Sequence, residues 1–137
     1  MNARQISLWT GLAFAACLAA APAWAVDIKL SGDQEAPAVK TTATGTGTIN
    51  VATDGAVTGS VTTTGMTGTA AHIHHGAAGK SGPVVVPMTK SGDNTWTVQA
   101  GAKLTPDQLK AYQAGELYVN VHSAAHKDGE VRGQIKP

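Results

Sequence analysis

The chain has 137 residues, ten Lys and Arg against nine Asp and Glu, and a formal net charge of +1 at pH 7. This near-neutral balance, without a basic stripe, gives no electrostatic support for a nucleic-acid partner or an anionic membrane surface. Its single cysteine excludes a disulfide within the chain.

The N-terminal segment, residues 1–25, has the organisation of a secretory signal peptide. Arg4 supplies a positive charge, residues 6–21 form an apolar run, and Ala23-Trp24-Ala25 is the small-x-small pattern that signal peptidase recognises. The apolar run is too short and too interrupted to make a convincing membrane anchor. We therefore expect cleavage after Ala25 and a periplasmic or secreted mature domain over residues 26–137.

Cys17 allows a second interpretation of the same segment. Ala15-Ala16-Cys17 resembles the end of a lipoprotein signal, in which the cysteine becomes lipidated. The apolar stretch continues well past Cys17, so cleavage after Ala25 is favoured. That cleavage removes the only cysteine, and the mature domain then has neither disulfides nor thiolate ligands. Loss of Arg4 with the leader leaves nine basic and nine acidic side chains.

The mature domain is predicted to consist mainly of short strands. Period-two alternation, β-branched residues and flanking turn signals indicate strands at residues 27–30, 44–51, 56–63, 83–88, 95–98 and 130–135. Asp54-Gly55 is expected to turn the chain between the second and third of them. In the last strand the expected inward residues are Val131 and Ile135, and the outward ones are Glu130, Arg132 and Gln134.

One short helix is predicted over Thr105–Ala114. Thr105 is a suitable N-cap, Pro106 fits the first helical position, and Gln108 completes a capping box. Gly115 is expected to end the helix. Many short antiparallel strands with a single short helix predict an all-β fold, a β-sandwich.

Two further strand-like segments, residues 70–76 and 117–122, carry histidines. Alternate side chains of a strand share one face, so His72 and His74 point the same way and Ile73 points the other way. The polar face of the second segment holds Tyr118, Asn120 and His122. The chain thus offers one histidine-bearing face on each of two strands.

If these two strands are neighbours, His72, His74 and His122 converge on one side of a sheet, which predicts a metal site. Glu130 is an accessory candidate, as a carboxylate ligand or an orienting acceptor, because a hairpin from residue 121 to residue 131 brings it near His122. With imidazoles and carboxylates and no thiolate, Cu(II) or Zn(II) fits best.

Other polar residues have weaker claims on this site. His75 and His126 are expected in exposed loops and are possible accessory ligands only. A competing interpretation makes the histidines structural, as parts of a hydrogen-bonded network with Asn120 and Arg132. Glu35 is expected to make a structural hydrogen bond or an ion pair with Arg132. No pattern predicts a catalytic residue or a cofactor other than a metal, so the chain is expected not to be an enzyme.

Three blocks of sequence resemble the CHRD family, the domain first recognised in chordin and also found in many exported bacterial proteins. The blocks are Leu30–Pro37, similar to the family's LSGxxExP; Ala71–His74 with Gly82–Val85, similar to its AHIHxG and GPVV; and Tyr118–His122 with Gly129–Ile135, similar to its YVNVHT and GEIRGQ. The chain departs from the family at residues 126–128, where Asn-Pro commonly precedes the glycine. His126 is therefore an addition of this chain.

The resemblance implies an immunoglobulin-like or Greek-key antiparallel β-sandwich in an extracytoplasmic setting, with a poorly defined biochemical role. The arrangement is also distantly similar to copper/zinc superoxide dismutase, in which a His-x-His strand supplies metal ligands. No counterpart of that enzyme's disulfide or bridging histidine is found here.

Three hypotheses about function follow. The first is a non-enzymatic exported domain that binds copper or zinc through His72, His74 and His122 and buffers, delivers or scavenges the metal. The second is an extracytoplasmic protein-interaction or matrix module with structural histidines, in which the Thr-rich sheet face or residues 76–82 meets the partner. Dismutase-like redox catalysis is the third, and it is disfavoured because near-zero net charge provides no electrostatic funnel for an anionic substrate.

Overall fold

A computed structural model describes the backbone of residues 23–137 and the side chains of residues 25–137. The predicted signal peptide lies almost wholly outside these residues, and its cleavage stays a prediction. Ala23–Ala25 begin the first strand, so cleavage after Ala25 would shorten that strand at its start. No helix among the described residues is long and apolar enough to cross a membrane.

Within the described residues the domain has eight antiparallel strands and one α-helix. The strands are β1 (Ala23–Ser31), β2 (Thr44–Ala52), β3 (Val57–Thr64), β4 (Gly68–His75), β5 (Val84–Gly92), β6 (Thr95–Val98), β7 (Leu117–Ser123) and β8 (Val131–Ile135). The helix α1 (Pro106–Gln113) connects β6 to β7, and a single 3-10 turn, Gly32–Gln34, follows β1. Every predicted strand and the predicted helix is present, with ends that move by a few residues.

The strands close into a barrel in the order β1-β2-β3-β6-β5-β4-β7-β8. β3 pairs with β6 through residues 60–62, and β8 returns to β1 at Ser31 and Arg132. The all-β class with one short helix is confirmed. The two separate sheets of the predicted immunoglobulin-like or Greek-key sandwich are wrong, because the strands form one continuous closed sheet. The order β3-β6-β5-β4-β7, in which the successive strands β4, β5 and β6 are flanked by β3 and β7, is of the Greek-key kind. Alternation and turn residues are the same in both architectures, so they do not reveal which edges pair.

Aliphatic side chains from alternate positions fill the barrel. Ile49, Val61, Val119 and Val121 have no exposed surface, and Ile73 between the two histidines of β4 is 1% exposed. The predicted inward residues Val131 and Ile135 also belong to this core. Each such burial stabilises the fold by roughly 1.5–3 kcal/mol relative to exposure. Because these side chains point into the barrel, the residues that alternate with them along each strand must point outward.

Local signals place the helix as predicted. The Thr105 hydroxyl accepts the Gln108 backbone N–H at 3.2 Å, and the Gln108 side chain accepts the Thr105 backbone N–H at 2.9 Å. Pro106 occupies the first helical position, and Gly115 follows the C-cap with φ of 75°. Buried Tyr112 packs this helix against the core.

The outer face of β8 points away from the core, as predicted, and is nevertheless buried. Arg132 is 1% exposed and Glu130, just before the strand, is 7% exposed. The loop of residues 76–82 covers Arg132, whose guanidinium donates to the carbonyls of Lys80 at 2.8 Å and Ala77 at 3.0 Å. Loops that fold over this part of the sheet thus create an enclosed polar region outside the barrel.

Candidate metal centre

β4 and β7 are adjacent antiparallel strands, as the metal-site hypothesis requires. His72 lies opposite Asn120, His74 lies opposite Tyr118, and His122 lies opposite Ala70. His122 is therefore a diagonal neighbour of His72 on the same outer face, within reach of a long side chain. The pairing that the sequence left conditional is present.

The three imidazoles converge. One nitrogen from each of His72, His74 and His122 lies within 4.8 Å of the other two. Nitrogens bound tetrahedrally at about 2.0–2.1 Å from a zinc ion are separated by about 3.4 Å. The Nδ1 of His72 and the Nε2 of His122 are 3.1 Å apart, close to that separation.

Hydrogen bonds to carbonyl oxygens define the protonation of two of the rings. His74 Nδ1 lies 2.9 Å from the Gly82 carbonyl, and His122 Nδ1 lies 2.8 Å from the Lys127 carbonyl. A carbonyl only accepts, so both Nδ1 atoms carry the proton and both Nε2 atoms present a lone pair. The Nε2 of His74 is buried and has no hydrogen-bond partner. This is the arrangement in which metal-bound histidines are usually oriented.

The surroundings favour neutral imidazoles. Burial lowers the pKa of His72, and the nearby His122 and His74 lower it further. Burial is also the main cause that lowers the pKa of His74, although its hydrogen bond to Gly82 acts in the opposite direction. A neutral ring is the form that binds a metal, so both residues are held in the competent state.

The loop of residues 76–82 is attached to the barrel beside His74. The Gly82 N–H donates to the Tyr118 hydroxyl at 3.1 Å, while the Gly82 carbonyl accepts from His74. A Cβ at Gly82 would collide with the carbonyl oxygen of His75, so only glycine fits. The side chain of Gln134 adds a hydrogen bond to the Gly76 carbonyl at 2.8 Å. The carbonyl that orients His74 is therefore fixed by several independent contacts.

A pocket of about 320 Å³ opens beside the cluster, and its walls include Glu35, His74, Asn120 and His122. Glu35 and Asn120 are buried, and Glu35 Oε1 and Asn120 Oδ1 have no hydrogen-bond partner. With His74 Nε2, three unpartnered polar atoms come from residues that line one pocket. Buried polar atoms are normally satisfied, so these three atoms are available to a group that enters the pocket.

Glu35 was not recognised from the sequence as part of this pocket. Its expected ion pair with Arg132 is not formed: the described residues contain no salt bridge between them. Burial raises the pKa of Glu35 to about 7, although the Arg132 charge and the neighbouring Asn120 amide act in the opposite direction. A carboxyl group with a pKa near neutral pH, in the same pocket as His74 and His122, is a feature that only the folded chain reveals.

The accessory candidates lie elsewhere. The Glu130 carboxylate accepts from the hydroxyls of Ser123 and Thr41, each at 2.7 Å, and the clustered ligand atoms do not include it. His75 faces Glu116 at 3.5 Å and is 44% exposed, as predicted, but it ends strand β4 and does not lie in a loop. His126 is half-buried in the turn after β7, where its backbone bonds to Ser123. The structure thus brings together His72, His74 and His122, without the three accessory residues.

The comparison with known families agrees with the sequence blocks. The CHRD domain matches residues 26–135, nearly the whole of the described chain. The protein belongs to the CHRD domain family. No curated protein and no solved structure matches it. The family assignment and the histidine cluster are therefore the two findings on which a function can be based.

Proposed function

We propose that this protein is an exported, non-enzymatic CHRD domain that binds a divalent metal, copper or zinc, through His72, His74 and His122. Three neutral nitrogen ligands without a thiolate suit Zn(II) and Cu(II). In the compartment beyond the inner membrane such a domain would buffer, deliver or scavenge the metal. Residues 1–25, with their signal-peptide organisation, support the export part of the proposal.

The observation that carries the proposal is the convergence of His72, His74 and His122, whose ligand atoms lie within 4.8 Å of one another. The His74 ring is held by the Gly82 carbonyl on one side, and its buried Nε2 has no hydrogen-bond partner in the described part of the chain. A metal ion shared by the three rings would use that lone pair.

Metal analysis of the purified protein tests this. The full-length chain is expressed with its own N-terminal segment and without a histidine tag, and copper and zinc are measured by mass spectrometry. We expect near-stoichiometric metal in the wild type and loss of metal in His74→Ala. His75→Ala is the matched control, because this neighbouring imidazole is exposed and outside the cluster. Failure of the wild type to retain or take up either metal at micromolar concentration contradicts the proposal.

The second candidate function is a protein-interaction module with structural histidines. The hydrogen bond between His72 and His122, continued from His122 to the Lys127 carbonyl, favours it. So does the row of exposed threonines across β2, β3 and β6, in which Thr44 bonds Thr64 at 3.2 Å and Thr62 bonds Thr95 at 3.1 Å. This function predicts melting and partner binding that are unchanged by a chelator, whereas metal binding predicts a chelator-dependent loss of melting temperature.

A further inference from the structure

We propose that Glu35 is the anionic partner of the three-histidine cluster: its carboxylate supplies the negative charge for a bound divalent cation and accepts a hydrogen bond from the water bound to that cation, on the pocket side of the site. This inference rests on the proposed metal binding and concerns the residue that sets the strength of that binding. It adds a residue from a distant loop to a site otherwise built on β4 and β7.

The position of Glu35 is the first support. It follows the 3-10 turn after β1, and its backbone N–H bonds the Gly32 carbonyl at 3.1 Å, which directs the chain toward the pocket. Its side chain lines the same pocket as His74 and His122. Only 9% of the residue is exposed, and its Oε1 has no partner. A buried carboxyl oxygen that no other part of the described chain engages is well placed to interact with an ion or its bound water in this pocket.

Asn120 connects Glu35 to the cluster. It lies opposite His72 on β7, and its Nδ2 donates to the Asp128 carbonyl at 3.3 Å. Gly129 makes the approach possible, because a Cβ there would lie 2.5 Å from Asn120 Nδ2 and 2.6 Å from Glu35 Oε1. The Oδ1 of Asn120 is also unpartnered. A cation and its bound water would supply the positive charge and the donors that these neighbouring acceptors lack.

The charge balance gives an independent argument. Three neutral imidazoles leave both positive charges of a divalent ion uncompensated. Arg132 adds another buried cation nearby, and its guanidinium donates only to the Lys80 and Ala77 carbonyls and to Gln134. A buried charge without a counter-charge is costly.

The other carboxyl groups near the site are less suited to supply this counter-charge. Glu130 is engaged by Ser123 and Thr41, and Asp128, which also lines the pocket, is exposed to solvent. Glu35 is the remaining carboxyl group that lines the pocket together with His74 and His122.

The test compares Glu35→Gln with the wild type, with Glu116→Gln as the matched control. Glutamine has nearly the shape of the protonated acid but cannot become negative, and Glu116 is an exposed carboxylate outside the pocket. Zinc affinity is measured by competition with a chromophoric chelator. We expect about 10–100-fold weaker binding in Glu35→Gln. The control should bind like the wild type, and both variants should melt no lower than the wild type without metal.

Unchanged zinc affinity in Glu35→Gln overturns the role of Glu35 and leaves metal binding standing. A wild type that binds no zinc overturns both proposals.

Discussion

His74 and Tyr118 lie opposite each other on β4 and β7, and their rings stack with centroids 4.9 Å apart and planes 3° apart. The Arg132 guanidinium carbon, on the next strand β8, lies 3.5 Å from the centre of the same Tyr118 ring. Tyr118 thus connects the unpartnered ligand atom of His74 to the buried cation that holds the loop of residues 76–82. The orientation of the candidate ligand depends on three strands and one loop together.

Removal of the Tyr118 hydroxyl should loosen that loop without removing the stack. In Tyr118→Phe the Gly82 N–H loses its acceptor, which should lower the free energy of unfolding by about 1 kcal/mol. Tyr112→Phe is the matched control, because the Tyr112 hydroxyl is buried and has no partner. The control should be neutral or stabilising. Chemical denaturation of both variants measures the difference, and an equal effect at the two positions would contradict this account.

Gly82→Ala should damage both stability and the metal site. The added methyl group collides with the His75 carbonyl, so the loop must move, and the Gly82 carbonyl moves away from His74 Nδ1. We expect a loss of about 1–3 kcal/mol, typical of forced overpacking, together with weaker zinc binding. In Gly92→Ala the new Cβ meets only ordinary contacts near 3.6 Å, so this control should retain both properties. Denaturation and zinc titration of the two variants decide the question.

Arg132→Met should lower the free energy of unfolding by more than the small change in side-chain packing would explain. The substitution leaves the Lys80 and Ala77 carbonyls without their charged donor and removes the cation from the Tyr118 ring. Hydrogen bonds to a charged group contribute about 1.5–3 kcal/mol each, so we expect a loss of roughly 3 kcal/mol. Lys136→Met, at an exposed position, should change stability little. A stability loss below about 1 kcal/mol in Arg132→Met would show that the loop is held mainly by its other contacts.

The elements that depend on local chemistry were predictable from the sequence. The capping box of Thr105 and Gln108 specifies the start of α1 from residues three apart, and Asp54-Gly55 specifies the β2–β3 turn. Barrel closure was not predictable in this way, because the pairing of Ser31 with Arg132 joins distant segments and no local pattern encodes it. The closed order emerges only when all strands are packed together.

The residues of the candidate site also fall into two groups, those that the sequence predicted and those that it did not. His72, His74 and His122 were placed on common faces by the period-two rule, which holds whatever the barrel order. Glu35 and the burial of Arg132 depend on loops that cover the sheet, and their amino-acid pattern carries no signal for this. Hairpin geometry predicted Glu130 near His122, but its carboxylate accepts hydrogen bonds from the hydroxyls of Ser123 and Thr41. Loop conformation decided each of these cases.

The ionisation of Glu35 should make stability fall with rising pH. Its carboxyl group has a pKa of about 7 in the folded chain, raised by burial, against an ordinary value of 4.5. Below the ordinary value both states are protonated and the group has no effect. As the pH rises toward and through 7, the unfolded state gains by ionising first, so the folded state loses relative stability. The glutamine side chain of Glu35→Gln does not titrate, so the variant does not lose stability in this way as the pH rises.

The measurement is the difference in melting temperature between Glu35→Gln and the wild type, in chelator to keep the cluster free of metal. Other titrating groups are common to both chains and largely cancel. The difference should be near zero at a pH of about 4 and should favour the variant at a pH of about 8. A difference that instead favours the wild type as the pH rises would mean that the fold stabilises the carboxylate without metal. The Arg132 charge would then outweigh the burial of Glu35, and the cluster would have its counter-charge in place before any cation arrives.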